Sequence, residues 1–218
     1  MKIAITGNSS GIGLSLDTVL SLTSKHEVRG FSKSNGFNIA DDNGESIINT
    51  ILDYDPDVVF NNAYYPGIQN KILETLYEKW SDRDKIIINT GSISGYLKGI
   101  LLNDDSDYVN DKRALSEFCI RNSFNYPWAN KCRIHCISFG FVATPLITNT
   151  NKTINQTEDL IGEEAAAFAL IDLMENKDYN IAEQVINCTF SSDEEMLTTF
   201  DVASRNMLKH VARSRKKK

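Results

Sequence analysis

Tyr108 and Lys112 stand four positions apart in a stretch with helical spacing, which puts a phenol and an ammonium on one face about one turn apart. Two such groups can share the work of moving a proton, but the requirement is steep. An unperturbed tyrosine titrates near ~10, and bringing it to about 7 takes roughly 4 kcal/mol at about 1.36 kcal/mol per unit. An ion pair on an exposed helix supplies about 0–1 kcal/mol. A phenol working near neutral pH therefore needs a semi-buried Lys112 beside it, in a site shielded from water. Taken alone, the spacing also fits an ordinary amphipathic helix with Leu115 and Phe118 turned to a core.

A second chemical signal is Thr6-Gly7-Asn8-Ser9-Ser10-Gly11-Ile12-Gly13. It follows the β-rich run Lys2–Thr6 and precedes Ile12, Leu16, Val19, Leu20 and Thr23 at helical spacing. A strand, a glycine turn and a helix in that order offer unpaired N–H groups and a positive dipole end to a pyrophosphate. A side chain at Gly7 would obstruct the turn, one at Gly11 would hold the backbone off the anion, and one at Gly13 would part helix from sheet. The segment thus predicts dinucleotide binding at Gly7, Asn8, Ser9, Ser10, Gly11, Ile12 and Gly13. After the next strand-like run, Glu27–Phe31, come Ser32, Lys33 and Ser34, where a protein preferring NAD would carry a carboxylate for the ribose diol. An ammonium between two hydroxyls suits a 2′-phosphate, so the expected cofactor is NADP(H), with NAD(H) as the second choice.

With the fingerprint TGNSSGIG and the pair Tyr108 and Lys112, the chain resembles the short-chain dehydrogenase/reductase family, in a shortened form. Five segments carry the resemblance in the family's order, from Lys2 to about Asn187. It implies an oxidoreductase that moves hydride between a nicotinamide and a small carbonyl or alcohol substrate, assembled as a homodimer or homotetramer. Tyr108 would be the acid or base and Lys112 would hold the nicotinamide ribose. Ser92 would hydrogen-bond the substrate oxygen, with Ser94 as the competing assignment, and Asn70 would support the lysine through water. Asn38 and Ile39 match the segment that cups the adenine, and Asn62 and Ala63 match the family's Asn-Asn-Ala-Gly. Gly140, Val142 and Thr144 match the segment that meets the nicotinamide carboxamide and the cofactor phosphate. Tyr64 stands where the family has glycine and Phe139 where it has proline. The stretch between Ala63 and Ser92 is shorter than usual, and a small insertion falls around Leu101–Asp105. These departures leave open a nucleotide-sensing protein that kept the fold and lost turnover.

The elements that must position these groups alternate. Apolar runs at Lys2–Thr6, Glu27–Phe31, Asp57–Asn61, Lys85–Asn89, Arg133–Ser138 and Gln184–Thr189 are separated by helical stretches, among them Glu163–Met174. Val58-Val59-Phe60 and Ile86-Ile87-Ile88 are apolar at successive positions, as strands covered on both sides must be. The expected architecture is α/β: a single Rossmann-like, doubly wound parallel sheet with helices on both faces, spanning residues 1–190. Residues 191–218 read as a helical extension that ends in a basic run, and Pro145–Asp159 as a short lid over the substrate.

The 218 residues suit one domain, and a net charge of −6 argues against nucleic acid as a partner. Neither a leader nor a membrane span is read in the sequence, so a cytoplasmic location and reduced thiols are expected. Cys132, His135 and Cys136 crowd together, but on a strand the two cysteines point one way and the histidine the other, so no metal site is expected.

Overall fold

Successive β-branched and aromatic residues leave Val58–Asn61 and Ile86–Ile88 no polar side to show to water, and the chain answers by covering both faces of its sheet. The structure, a computed structural model, describes residues 1–97, 106–148, 160–176 and 181–187. The insertion around Leu101–Asp105, most of the expected lid, Cys188 and the extension at 191–218 lie outside the described residues.

Six strands form the sheet: β1 (Lys2–Thr6), β2 (Glu27–Phe31), β3 (Val58–Asn61), β4 (Ile86–Ser92), β5 (Arg133–Phe139) and β6 (Gln184–Ile186). Their order is β2-β1-β3-β4-β5-β6, and every neighbouring pair is parallel. The helices are α1 (Gly11–Leu22), α2 (Glu45–Tyr54), α3 (Ile68–Lys79), α4 (Ser94–Leu97), α5 (Asp107–Ser123), α6 (Pro145–Thr148) and α7 (Glu163–Glu175). This is the doubly wound arrangement expected from the alternation.

Strand alternation divides the interior into two cores. On one face Ile3, Ile5, Val58, Phe60, Ile86 and Ile88 pack against Leu16 and Leu20 of α1 and Ala166 and Leu170 of α7. On the other, Ala4, Val59, Ile87 and Ile134 meet Ile48 and Ile51 of α2, Ile72 and Leu76 of α3, and Leu115 and Cys119 of α5. Cys132 and Cys136 join this second core. His135 faces the other way and places its Nδ1 2.8 Å from the Ile181 carbonyl.

The strand order reverses between β1 and β3, so a crevice opens beyond their C-terminal ends, the usual ligand position in such sheets. Several strand ends differ from the sequence reading, and two of them have a visible cause. β4 runs on through Thr90 and Gly91 to Ser92, because β5 pairs with it as far as Phe139. Gly91 permits this: a side chain there would begin 2.6 Å from Ser138 Oγ and 2.8 Å from Cys136 Sγ. β3 begins at Val58 rather than Asp57, whose carboxylate instead accepts from the Lys2 amide at 2.8 Å.

Ile88, wholly buried between the central strands, should lose about 2–5 kcal/mol of stability on conversion to Ala. Leu22→Ala, at a side chain 78% exposed, should stay within about 0.5 kcal/mol of the parent. Urea midpoints measure both, and similar shifts would contradict this assignment of the core.

Candidate active site

At the crevice the glycine turn is shaped by its own steric limits. Gly7 and Gly11 take left-handed φ values of 74° and 57°. A Cβ on Gly13 would lie 2.2 Å from the Gly7 carbonyl oxygen and 2.7 Å from Asn62 Nδ2. The constraint at Gly13 is thus contact with the turn and the β3 loop, more specific than the separation of helix and sheet read from the sequence. Ser10 caps α1 in extended backbone without a side-chain hydrogen bond, so the first-turn amides have no acceptor within the helix. Ser9 and Ser10 are exposed, and Ile12 is buried in the core.

Thr6 ties this turn to the next strand end. Its Oγ1 accepts from the Asn62 and Ala63 amides at 2.9 Å each, and Asn62 Nδ2 donates to the Thr6 carbonyl at 3.2 Å. Thr144 closes the far side, its methyl 3.1 Å from where a Gly11 side chain would begin. Val142 is held there by a bridge to Ile161, and the Gly140 amide donates to the Ile186 carbonyl at 2.8 Å. Glu163, whose carboxyl burial pushes above the usual range with Glu164 adding to the effect, also faces the turn. Asn8 lies flat over Gly30 of β2 and donates to Asp17 Oδ2 at 2.7 Å; any side chain at Gly30 would displace it.

Lys33 and Ser34 are exposed at the C-terminal end of β2, with no acid among Ser32, Lys33 and Ser34. Ser32 Oγ lies 2.9 Å from Ser34 Oγ, and Asn35 Oδ1 accepts from the Ser32 amide at 2.7 Å and from its hydroxyl at 3.0 Å. The two hydroxyls therefore form one preset cluster. Asn38 is used locally: Nδ2 donates to Asp41 Oδ1 at 2.8 Å, and Oδ1 accepts from the Ala40 amide at 3.3 Å. Ile39 packs half-buried against the second core.

The groups expected to move a proton lie where β4 ends. Ser92 closes that strand, and its hydroxyl lies near enough to the Tyr108 phenol, close to the start of α5, to act on its titration. Ser94 is placed behind Ser92: Ser92 Oγ donates to Ser94 Oγ at 3.1 Å and accepts from the Ser94 amide at 3.3 Å. α5 is started by Ser106, whose Oγ accepts from the Val109 amide. One turn beyond Tyr108, Lys112 is 3% exposed, well past the semi-buried state the sequence argument required. Its Nζ donates to Gln69 Oε1 and to the Thr90 carbonyl, both at 2.7 Å, and lies 5.7 Å from the Tyr108 ring centroid.

Burial lowers the Lys112 ammonium to about 8, with Cys136 and Asp111 acting in the opposite direction. Burial raises the Tyr108 phenol above its ordinary range, while the Ser92 hydrogen bond pulls it back. The chain's own groups therefore keep Tyr108 protonated across neutral pH; they do not bring it to 7.

Three residues at this site escaped the sequence reading. Asn70, expected to support the lysine through water, donates to the Asp111 carbonyl at 3.0 Å, and its neighbour Gln69 contacts Lys112 directly. Tyr64 reaches over the same pair, its ring edge-on to Tyr108 with centroids 4.9 Å apart and 5.4 Å from Lys112 Nζ. Asp111 anchors it, accepting from the Tyr64 hydroxyl at 3.1 Å and from the Gly67 amide at 2.8 Å. No local spacing marks these contacts, because each joins segments more than forty residues apart.

No protein-family model matches the chain, and no curated protein matches its sequence. Solved structures do match its fold. The 3-alpha-hydroxysteroid dehydrogenase from Pseudomonas sp. B-0831, complexed with NADH, is similar with a TM-score of 0.69 and 19% identity over 86% of this chain and 94% of that one. BdcA in complex with NADPH gives 0.66 and 14% identity, covering 88% and 95%. A short-chain dehydrogenase/reductase family oxidoreductase from Burkholderia thailandensis gives 0.62 and 14%, covering 85% and 90%. The six parallel strands, the glycine turn at their switch point and the helices on both faces give this chain the fold of the short-chain dehydrogenases/reductases.

Proposed function

We propose that the protein is an NADP(H)-dependent oxidoreductase acting on a small carbonyl or alcohol, with Tyr108 as its general acid or base. The observation that carries this reading is the buried Lys112 ammonium, held by Gln69 and Thr90 5.7 Å from the Tyr108 ring centroid, with Ser92 at the adjoining end of β4. The NADH and NADPH bound to structures of the same fold support a nicotinamide partner. Among the described residues no helix is long and apolar enough to cross a membrane.

The residues present fit such a cofactor. The first-turn amides of α1 have no side-chain cap, and Thr144 lies so close across from Gly11 that a Cβ there would meet its methyl at 3.1 Å. Lys33 with the Ser32 and Ser34 hydroxyls would hold a 2′-phosphate. Asn62 and Ala63 would line the ribose side, while Gly140 and Val142 would meet the carboxamide. A bound nicotinamide supplies or accepts the hydride.

In the reducing direction Ser92 donates a hydrogen bond to the carbonyl oxygen, and the protonated Tyr108 gives that oxygen its proton. In the oxidising direction Tyr108 takes the proton from the alcohol. Lys112 remains an ammonium below about pH 8 and stabilises the phenolate left after transfer. A substrate carbonyl placed against both hydroxyls is polarised before hydride arrives.

Tyr108→Phe should lower kcat by about 10²- to 10⁴-fold in NADPH oxidation with a carbonyl panel, while NADPH binding by fluorescence persists. Undiminished turnover in that variant would remove Tyr108 from the chemistry. NADPH binding without oxidation by any carbonyl would favour the nucleotide-sensing reading. Lys33→Ala should weaken NADPH about tenfold or more and leave NADH nearly unchanged; equal losses would remove the phosphate assignment. Because Lys112 is cationic below about 8 and neutral above, kcat/KM for reduction should fall as pH rises through that value. A profile flat from pH 7 to 10 would contradict the need for the ammonium.

A further inference from the structure

Gln69 lies in the first turn of α3, 2% exposed, and every polar atom of its side chain is committed. Nε2 donates to the Asn61 carbonyl at 2.7 Å and to the Thr90 carbonyl at 3.2 Å, at the ends of β3 and β4. Asn61 returns the contact by donating from Nδ2 to the Gln69 carbonyl at 2.9 Å. With the amide nitrogen facing two carbonyls, only the oxygen can face Lys112, where it accepts at 2.7 Å. An apolar side chain of similar volume would fill the same space and leave the ammonium with the Thr90 carbonyl alone.

We infer that Gln69 is a positioning residue, a strand-anchored amide that holds the Lys112 ammonium directly and fixes its orientation beside Tyr108. The inference rests on the proposed part of Lys112 in the reaction. Two of the three ammonium N–H groups are taken by Gln69 and Thr90, which leaves one for the reacting side. A neutral acceptor suits this task better than a carboxylate, because it orients the ammonium without cancelling the charge that stabilises a phenolate.

Around Lys112 the other titratable groups are Tyr108 and Asp111 on α5, Tyr64 beyond β3 and Cys136 on β5. Asp111 and Cys136 favour the charged lysine, and burial opposes it. Gln69 is the uncharged side chain that touches Nζ, so a charge placed there should move the lysine's titration, and it would also cost the Nε2 hydrogen bonds to Asn61 and Thr90.

Trace acetic anhydride, with acetylated Lys112 quantified by mass spectrometry against pH, reads that titration in the cofactor-free protein without any turnover. Gln69→Glu should raise the midpoint by about one pH unit or more, and Gln69→Leu should lower it by a similar amount. The descending limb of kcat/KM should move with each midpoint. Coincident midpoints in folded parent and variants overturn the inference, even where Gln69→Leu lowers the melting temperature, since lost packing alone would do that. If Gln69→Leu does not fold, Gln69→Glu decides, read only in protein whose circular dichroism matches the parent, because it keeps the shape of the side chain but loses the Nε2 donor to Asn61 and Thr90. Midpoints that shift in a protein oxidising NADPH with no carbonyl uphold the contact and sink the proposed activity. Unmoved midpoints in an active enzyme do the reverse.

Discussion

An ammonium taken out of water must be met by oxygen on nearly every side that matters, and that demand organises this molecule around Lys112. No single element could satisfy it. The Thr90 carbonyl is available because β4 continues beyond its apolar run, and the Gln69 oxygen because Asn61 and Thr90 lock the amide in place. The same extension of β4 carries Ser92 to Tyr108, and the helical repeat of α5 sets Tyr108 one turn from Lys112. Holding the charge therefore brings Ser92, Tyr108 and Lys112 into one neighbourhood as a geometric consequence. Behind them Asn61 donates to Asn89 Oδ1 at 2.9 Å, and Asn89 donates to the His135 carbonyl at 3.0 Å, so the polar seam reaches β5.

The nucleotide end of the crevice obeys a steric rule in place of an electrostatic one. Gly13 has room for no Cβ against the Gly7 carbonyl, and Thr6 holds the Asn62 and Ala63 amides where that turn needs them. The two ends are joined through Asn62, whose Oδ1 accepts at 3.1 Å from the hydroxyl of Thr90, the residue whose carbonyl binds Lys112. The glycine turn and the Lys112 site are thus registered to each other by adjacent strand ends.

Much of this was legible in the sequence, and the reason differs by element. Val58-Val59-Phe60 and Ile86-Ile87-Ile88 announced central strands because burial on both faces leaves no room for polar alternation. The glycine turn was legible because strand, turn and helix are consecutive. The end of β4 was not: Thr90, Gly91 and Ser92 carry no apolar signal, and only pairing with β5 extends the strand through them. The choice between Asn70 and Gln69 was out of reach for a subtler reason. Both are amides in one helical turn, and about 100° of rotation per residue separates their directions, so the phase of α3 on the sheet decides which one meets Lys112. Tyr64 likewise shows only a departure from glycine until Asp111, distant in the chain, fixes where its ring lies.

The arrangement is not built for stability. A lysine lowered to about 8 in the folded protein, against ~10.4 in an unfolded chain, disfavours folding below pH 8 by on the order of 3 kcal/mol. Between those two values the unfolded chain holds a proton that the folded one has released, so this group's contribution to stability improves as pH rises across that window. The protein is least burdened by Lys112 at a pH where the lysine is neutral and of no use to a phenolate. Hydrogen bonds from Nζ to Gln69 and Thr90 limit the penalty without removing it. A structural lysine under such conditions would be replaced by an apolar side chain at a gain. Retaining the charge in the core, braced and pointed at a phenol, is the mark of a site whose chemistry is set against the fold's own stability.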